Sequence, residues 1–245
     1  MFGDTLLYPK FKEDDGVRKF DTVIANPPWN QDGYDEEVLK KGEFWKQRFR
    51  YGFTPRQSAD WAWMQHMLAS AKDDKGRVGV VIDNGCLFRG GKERAIRASV
   101  LPLIECVILL PEKLFYNTGA PGAIIILNKN RTEERKGRIL FINASSEFEQ
   151  HPEVRKLNRL GSQHIDRIAK AYRDFKDVDG FARAVPLDEI QNNDFNLNVT
   201  LYVFPEEAQE EIDVSREWEE LRRIEEEIAG VEVIIEGYLK EIMAK

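Results

Sequence analysis

The sequence predicts an α/β fold, in which helices cover both faces of a buried sheet. Two segments with apolar residues at three-to-four spacing predict helices, ADWAWMQHMLASA from Ala59 and GGKERAIRASVL from Gly90. They alternate with continuous apolar runs, which are typical of strands in a parallel sheet whose ligands bind at the carboxyl ends of the strands. Five such runs, rich in β-branched residues, predict strands: FDTVIA from Phe20, GRVGVVI from Gly76, IECVILL from Ile104, GAIIILN from Gly122 and GRILFIN from Gly137.

Beyond about Ser145 the pattern changes. The segment LGSQHIDRIAKAYRDF predicts a helix, DVDGFARAVP a loop, and NDFNLNVTLYVFP an irregular or extended stretch. From Glu206 we expect helix to the end. These changes predict a first domain over 1–145, an extension over 146–205 that packs on it, and a helical tail over 206–245.

The composition is that of a globular protein, with 42% hydrophobic and 32% charged residues among 245. There is no apolar run of about 18 residues and no signal-peptide core near the start, so we expect a cytoplasmic protein without membrane insertion. Neither the two cysteines, Cys86 and Cys106, nor the three scattered histidines have the spacing of metal ligands. The sequence therefore predicts no metal site.

The net charge of −7 is unevenly distributed. Residues 206–245 hold 14 of the 43 acidic side chains and 5 of the 36 basic ones, a net charge of −9. Residues 1–205 consequently carry a net charge of +2. Any contact between this body and nucleic-acid phosphates would have to come from a local basic patch or from a partner.

The candidate catalytic motif is Asn26-Pro27-Pro28-Trp29, directly after the first predicted strand. These residues can form an ordinary turn, but the end of a buried strand is where an α/β ligand site belongs. The exocyclic amine of adenine is a poor nucleophile, because its lone pair is delocalised into the ring. The side-chain oxygen of Asn26 and the backbone oxygen of Pro27 can hold that amine closer to tetrahedral, and Trp29 offers a flat face to a flipped base.

The motif resembles the catalytic motif of amino-methylating DNA methyltransferases. Further segments across residues 3–205 are similar, in order, to the modification subunit of type I restriction-modification systems. The most specific are LFRGGKERAIR from Leu87 and LFYNTGAPGAIIIL from Leu114. The resemblance implies a Rossmann-like, S-adenosylmethionine-dependent methyltransferase sheet followed by a helical C-terminal region. It also implies adenine-N6 methylation of double-stranded DNA, with a specificity subunit and a restriction subunit as partners.

The resemblance assigns roles to individual residues. It implies that the four NPPW residues are catalytic and that Trp29 and Phe115 stack on the target base. Tyr116 is the alternative to Phe115, which could also be an ordinary core aromatic. Asn26 and Pro28 are also candidates for contact with the methyl donor.

Two further groups of residues have alternative interpretations. Ser58 and Asp60 match a family segment, but they could instead serve the start of a helix. A basic set could contact DNA phosphates or form a solvated helix face. It consists of Arg89, Lys92, Arg94 and Arg97.

The resemblance extends only to the C-terminal, NPPW-containing part of the family's domain. The family's methyl donor is held by a glycine-rich turn after one strand and an acidic residue after the next. No segment before or after NPPW has that pattern. We therefore expect an incomplete copy that lacks the main donor motif. The alternatives are a non-catalytic interaction module, a degenerate relic, or a stand-alone restriction-modification methyltransferase.

The tail has an apolar stripe at three-and-four spacing, about four heptads long. Gly230 and Gly237 interrupt it, and each costs roughly 1 kcal/mol relative to alanine in a helix interior. The stripe could fold onto the chain's own domain or dock against helices of the specificity subunit. It comprises Val214, Leu221, Ile224, Ile228, Val231, Ile235, Tyr238 and Ile242.

Overall fold

The computed structural model describes residues 3–204 and 214–243, and the chain divides into two compact units, Met1–Pro205 and Glu206–Lys245. The strands are β1 Lys12–Glu13, β2 Gly16–Val17, β3 Thr22–Ala25, β4 Arg77–Asp83, β5 Ile104–Leu109, β6 Gly122–Asn128, β7 Arg138–Asn143, β8 Glu149–Gln150, β9 Asn158–Arg159 and β10 Ala182–Pro186. The helices are α1 Glu36–Leu39, α2 Trp45–Arg48, α3 Asp60–Ala69, α4 Gly91–Val100, α5 Ser162–Asp174, α6 Leu187–Asn192 and α7 Val214–Met243.

Six strands form one mixed sheet in the order β10-β7-β5-β6-β4-β3. β3 is parallel to β4 and β5 to β7, whereas β6 is antiparallel to both of its neighbours. The α/β class and the positions of the five predicted strands are confirmed. The prediction that the first of them is buried is wrong, because β3 lies at the edge of the sheet and none of its residues is buried. The prediction of a parallel sheet throughout is wrong. The loop 110–121 between β5 and β6 contains no helix, and a parallel connection usually needs a helical crossover, so β6 returns in the opposite direction.

Strand β10 corrects a second prediction, that DVDGFARAVP is a loop. It pairs antiparallel with β7, from Ala182 opposite Ile142 to Pro186 opposite Arg138. As an edge strand it is only partly buried and has no continuous apolar run, which is why the sequence pattern did not reveal it. Proline is tolerated there because it lies at the end of an edge strand.

Hydrophobic clusters cover both faces of the sheet and hold the predicted helices. On one face α3 and α4 contribute Trp61 and Ile96 to a cluster that includes Ile125 of β6. On the other face α5 contributes Ile168, and the neighbouring Ile124 of β6 packs against that cluster. Burying a side chain of this size contributes about 1.5–3 kcal/mol. The sheet is therefore a fixed scaffold for the loops at its ends.

Strand β3 lies at the end of the sheet, and its outer edge has no strand partner among the described residues. The side chain of Ile24 is 79% exposed there, and Phe11 is exposed as well. Unpaired backbone groups and apolar side chains thus share this edge.

The helix predicted from Glu206 to the end of the chain is confirmed over Val214–Met243, as α7 of the second unit. Residues 206–213 and 244–245 lie outside the described residues. The five members of the apolar stripe whose side chains the structure describes are between 43% and 54% exposed. The side chains of Val214, Tyr238 and Ile242 lie outside the described residues. None of the described helices combines the length and apolar character that crossing a membrane requires.

Candidate functional site

The structure places NPPW at the carboxyl edge of the sheet, directly after β3. The parallel strand β4 ends beside it at Asp83, which pairs with Gly122 at the start of β6. The loop 110–121 brings Phe115 to the same edge. A cavity of about 560 Å³ opens there. Its wall consists of Asn26, Pro27, Trp29, Asn30, Asp83, Phe115, Tyr116, Asn117 and Thr118.

The side chain of Asn26 is oriented by the motif itself. The indole N–H of Trp29 donates a hydrogen bond to Asn26 Oδ1 over 3.1 Å. The amide oxygen keeps a second lone pair, and the residue is exposed, so it can accept another hydrogen bond from a ligand. Pro27 is buried and Pro28 exposed. Their fixed φ angles make the turn rigid.

Trp29 and Phe115 are in direct contact. Their ring centroids lie 4.6 Å apart with an interplanar angle of 68°, an edge-to-face arrangement. A base sandwiched between two rings needs them about 7 Å apart, twice the optimal carbon–carbon separation. The pair therefore leaves an outer face for stacking but no slot between the rings. Tyr116, on the same loop, is 79% exposed.

Gly122, beneath the aromatic pair, is a site residue that the sequence analysis missed. A Cβ atom at this position would lie 2.7 Å from Trp29 Cη2 and 2.8 Å from Phe115 Cε2. Both distances are shorter than real contacts of a Cβ atom. The signal that could have revealed it is a glycine at the start of a strand, which often marks the close approach of another group.

Asp60 and Arg89 form a second group of site residues, beside the loop after NPPW, whose contact with each other the sequence analysis did not predict. The carboxylate of Asp60 accepts the backbone N–H of Asn30 over 3.0 Å and the guanidinium of Arg89 over 3.1 Å. Asp60 is fully buried, and burial raises its pKa against the lowering effect of these two hydrogen bonds. Its carboxylate thus holds the loop rather than capping α3. Among the described residues, no group of three or more His, Cys, Asp or Glu is arranged to hold a metal ion.

The four basic residues proposed to contact DNA have different environments. Arg97 is buried, and its guanidinium donates to two backbone oxygens, each 3.0 Å away. The structure therefore overturns the predicted phosphate contact for Arg97, because its position on an amphipathic helix points it into the core. Arg89 is tied to the charged group beside the loop. Lys92 and Arg94 lie on the exposed face of α4.

The described residues at this edge do not include the glycine-rich turn between a strand and a helix that the resemblance assigns to the methyl donor. Gly90 and Gly91 open α4 but come several residues after the end of β4. No other described strand that ends at this edge leads directly into a glycine-rich turn and helix. Asn26 and Pro28 stay the predicted donor contacts of this chain.

Comparisons with known proteins indicate one family over most of the chain. The family profile described as N-6 DNA Methylase matches residues 1–211. The type I restriction enzyme MjaVIII methylase subunit of Methanocaldococcus jannaschii is 54% identical over 248 residues, which cover 99% of this chain and 42% of that protein. The type I restriction enzyme HindI methylase subunit of Haemophilus influenzae is 32% identical and covers 79% of this chain.

A solved structure gives the same result. The type I restriction-modification system methyltransferase subunit from Streptococcus thermophilus superposes with a TM-score of 0.69 at 35% identity, over 82% of this chain and 41% of that chain. This chain thus spans less than half the length of the relatives that it matches. With a profile match over most of its residues, it belongs to the N-6 DNA Methylase family.

Proposed function

We propose that this chain holds the target adenine during site-specific N6 methylation of double-stranded DNA. It acts within the modification subunit of a type I restriction-modification system, in the cytoplasm. The observation that carries the proposal is the position of Asn26 at the end of β3, beside Trp29 and in the cavity that Phe115 also lines. The relatives named as type I methylase subunits support it.

The chemistry follows from the acceptors of the motif. Asn26 Oδ1 and the backbone oxygen of Pro27 accept hydrogen bonds from the two N–H groups of the adenine amine. This geometry favours a tetrahedral nitrogen, whose lone pair is no longer delocalised into the ring. Because the interaction strengthens as the amine becomes tetrahedral, it raises turnover more than binding. Stacking on Trp29 contributes about 1–3 kcal/mol and offsets the cost of extruding the base.

The methyl donor of the proposed reaction is S-adenosylmethionine, which supplies the methyl group when it is bound. Because no described strand at this edge leads into a glycine-rich turn and helix, Asn26 and Pro28 are proposed only as the wall that faces the donor. The principal donor contacts belong to residues other than those described.

The macromolecular contacts are proposals of the same kind. Lys92 and Arg94 are the proposed phosphate contacts, and the ion pair of Arg94 with Asp194 is exposed enough to exchange for a phosphate. The exposed apolar stripe of α7 is proposed to dock against helices of the specificity subunit. The net charge of −9 over residues 206–245 makes this region a poor contact for DNA. The restriction subunit is the other proposed partner, and it is proposed to bind the assembled complex.

The test is Asn26→Ala in a protein of the relatives' full length that contains this chain. We expect incorporation of tritiated methyl groups into DNA to be lost while donor binding is retained, since the missing hydrogen bond matters most in the transition state. Trp29→Ala should weaken capture of the base more than Trp29→Phe. Asn192→Ala, at an exposed position on α6, is the matched control and should be fully active. A fully active Asn26→Ala protein would exclude the mechanism.

A further inference from the structure

Arg89 is the centre of a compact polar cluster at the carboxyl edge of the sheet. Its Nη1 atom donates to Ser58 Oγ over 3.2 Å, to Asp60 Oδ2 over 3.1 Å and to Glu93 Oε1 over 3.4 Å. Its Nη2 atom donates to the side-chain oxygen of Asn30 and to the carboxylate of Asp83. One guanidinium thus joins the start of α3, the end of β4, α4 and the loop after NPPW.

The charges of the cluster hold Arg89 in place. Asp60 and Glu93 are almost fully buried, and only 32% of the Arg89 side chain is exposed. Burial lowers the pKa of Arg89, but the carboxylates of Glu93, Asp60 and Asp83 outweigh that effect and raise it. Removing the guanidinium would leave buried carboxylates without a counter-charge, which is strongly destabilising. Arg89 is therefore not free to leave the cluster for a DNA phosphate.

The cluster grips the residue that directly follows the motif. Asn30 has a left-handed backbone, with φ of 51°. Its backbone N–H donates to Asp60 Oδ1 over 3.0 Å, and its side-chain oxygen accepts from Arg89. The other end of the motif is fixed because Asn26 directly follows β3. The turn that carries Trp29 is thus anchored at both ends, by the sheet before it and by the charged cluster after it.

We infer that Arg89 is a positioning residue, which acts through Asn30 to set the orientation of Trp29 and of the Asn26 amide that Trp29 contacts. Asp60 completes the grip from the backbone side. The consequence for catalysis rests on the proposed function; the consequence for the conformation of the motif does not. This role differs from the phosphate contact that the sequence pattern suggested for Arg89.

The first test follows Trp29 in this chain without DNA or donor. The chain is labelled with 5-fluorotryptophan, and the fluorine NMR signal of Trp29 is assigned from Trp29→Phe. Arg89→Lys keeps the charge but loses the forked guanidinium, whose Nη1 and Nη2 atoms reach different acceptors. Asn30→Gly keeps the left-handed backbone and the N–H to Asp60 but removes the oxygen that Arg89 holds. We expect both variants to melt cooperatively with a shifted or broadened Trp29 signal.

The matched control is Arg183→Lys. It breaks a two-pronged pair with Glu189, at 2.8 and 2.9 Å, on β10. Its Trp29 signal should be unchanged, and the signal of Trp45 on α2 serves as the internal reference in every variant. If the Trp29 signal is unchanged in both Arg89→Lys and Asn30→Gly, as it should be in Arg183→Lys, the inference is overturned.

The second test separates positioning from phosphate contact in a protein of the relatives' full length. A positioning role predicts that Arg89→Lys and Asn30→Gly lower kcat by as much as about 10²-fold with little change in the KM for DNA. A role in phosphate contact instead predicts, for Arg89→Met, a salt dependence of DNA affinity that is shallower by about 0.9 in log–log slope. An unchanged kcat in both variants, or that shallower slope, overturns the inference. If the unaltered protein does not methylate DNA, the proposed function fails while the NMR result still decides the role of Arg89.

Discussion

Replacing Gly122 with alanine tests the aromatic wall of the cavity without removing any polar group. The added Cβ would lie 2.7 Å from Trp29 and 2.8 Å from Phe115, whereas an ordinary contact begins at 3.4 Å. The two rings must therefore retreat by about 0.7 and 0.6 Å. Overpacking of this kind costs about 1–3 kcal/mol, and a displacement that approaches 1 Å lowers turnover by up to about 10²-fold. We expect a folded but less stable chain and a strongly impaired methyltransferase.

The matched control is Gly79→Ala in the adjacent part of the same sheet. Its Cβ would lie 3.6 Å from Ile24 Cγ2, an ordinary contact. This variant should keep full activity. Because alanine lowers the conformational entropy of the unfolded chain, its free energy of unfolding should exceed that of the unaltered chain by about 0.4–1 kcal/mol. Urea unfolding of this chain gives the stabilities, and tritiated methyl transfer by the full-length protein gives the activities. If Gly122→Ala behaves like Gly79→Ala in both assays, our account of the aromatic wall is refuted.

The remaining predictions concern the donor, the core, the tail and pH. Isothermal titration should detect no binding of S-adenosylmethionine to this chain alone, and micromolar affinity would contradict us. Arg97→Met should lower the free energy of unfolding by about 1.5–3 kcal/mol and leave the salt dependence of DNA affinity unchanged. Ile228→Asp with Ile235→Asp should abolish co-purification with the specificity subunit without altering the melting of the first unit; loss of that melting would assign the stripe to the chain's own core. Burial, together with the charge of Arg48, lowers the pKa of His66 from 6.5 to about 3. As the pH falls through this range the unfolded chain gains a proton that the folded chain does not, so unfolding becomes easier by up to about 1.4 kcal/mol per pH unit. His66→Gln should show a shallower loss of stability between pH 7 and 5 in urea titrations.

The elements that the sequence predicted are those with a recognisable apolar pattern, which in all but the edge strand β3 reflects burial. Strands β3 to β7 and helices α3, α4 and α5 are all visible as apolar runs or as three-to-four spacing. The direction of β6 is not encoded in that pattern, because a strand buried on both faces has the same composition in either direction. It follows instead from the helix-free loop before it. Strand β10 has no pattern because one of its edges faces solvent.

The candidate site was predictable only where a motif is local. NPPW is one continuous turn, so its position after β3 could be read directly. Asn30 is held by Asp60 and Arg89, and any two of these three residues are at least 29 positions apart in the sequence. Neither the sign of a charge nor its place on a helix shows whether it faces water or a buried carboxylate. Arg97 and Lys92 lie on the same short helix, and only the structure separates the core residue from the exposed one.

The contact between Trp29 and Phe115 also bears on the proposed binding of a base in the cavity. A base that inserts between the rings must first separate a pair that contributes about 0.5–1.5 kcal/mol. The opened state is then disfavoured by roughly 2- to 13-fold, and the apparent affinity for a base falls by about the same factor. This penalty is the same for every base, so it lowers occupancy without changing selectivity. Under the proposed function, discrimination between adenine and the other bases is therefore left to the polar acceptors, Asn26 and Pro27.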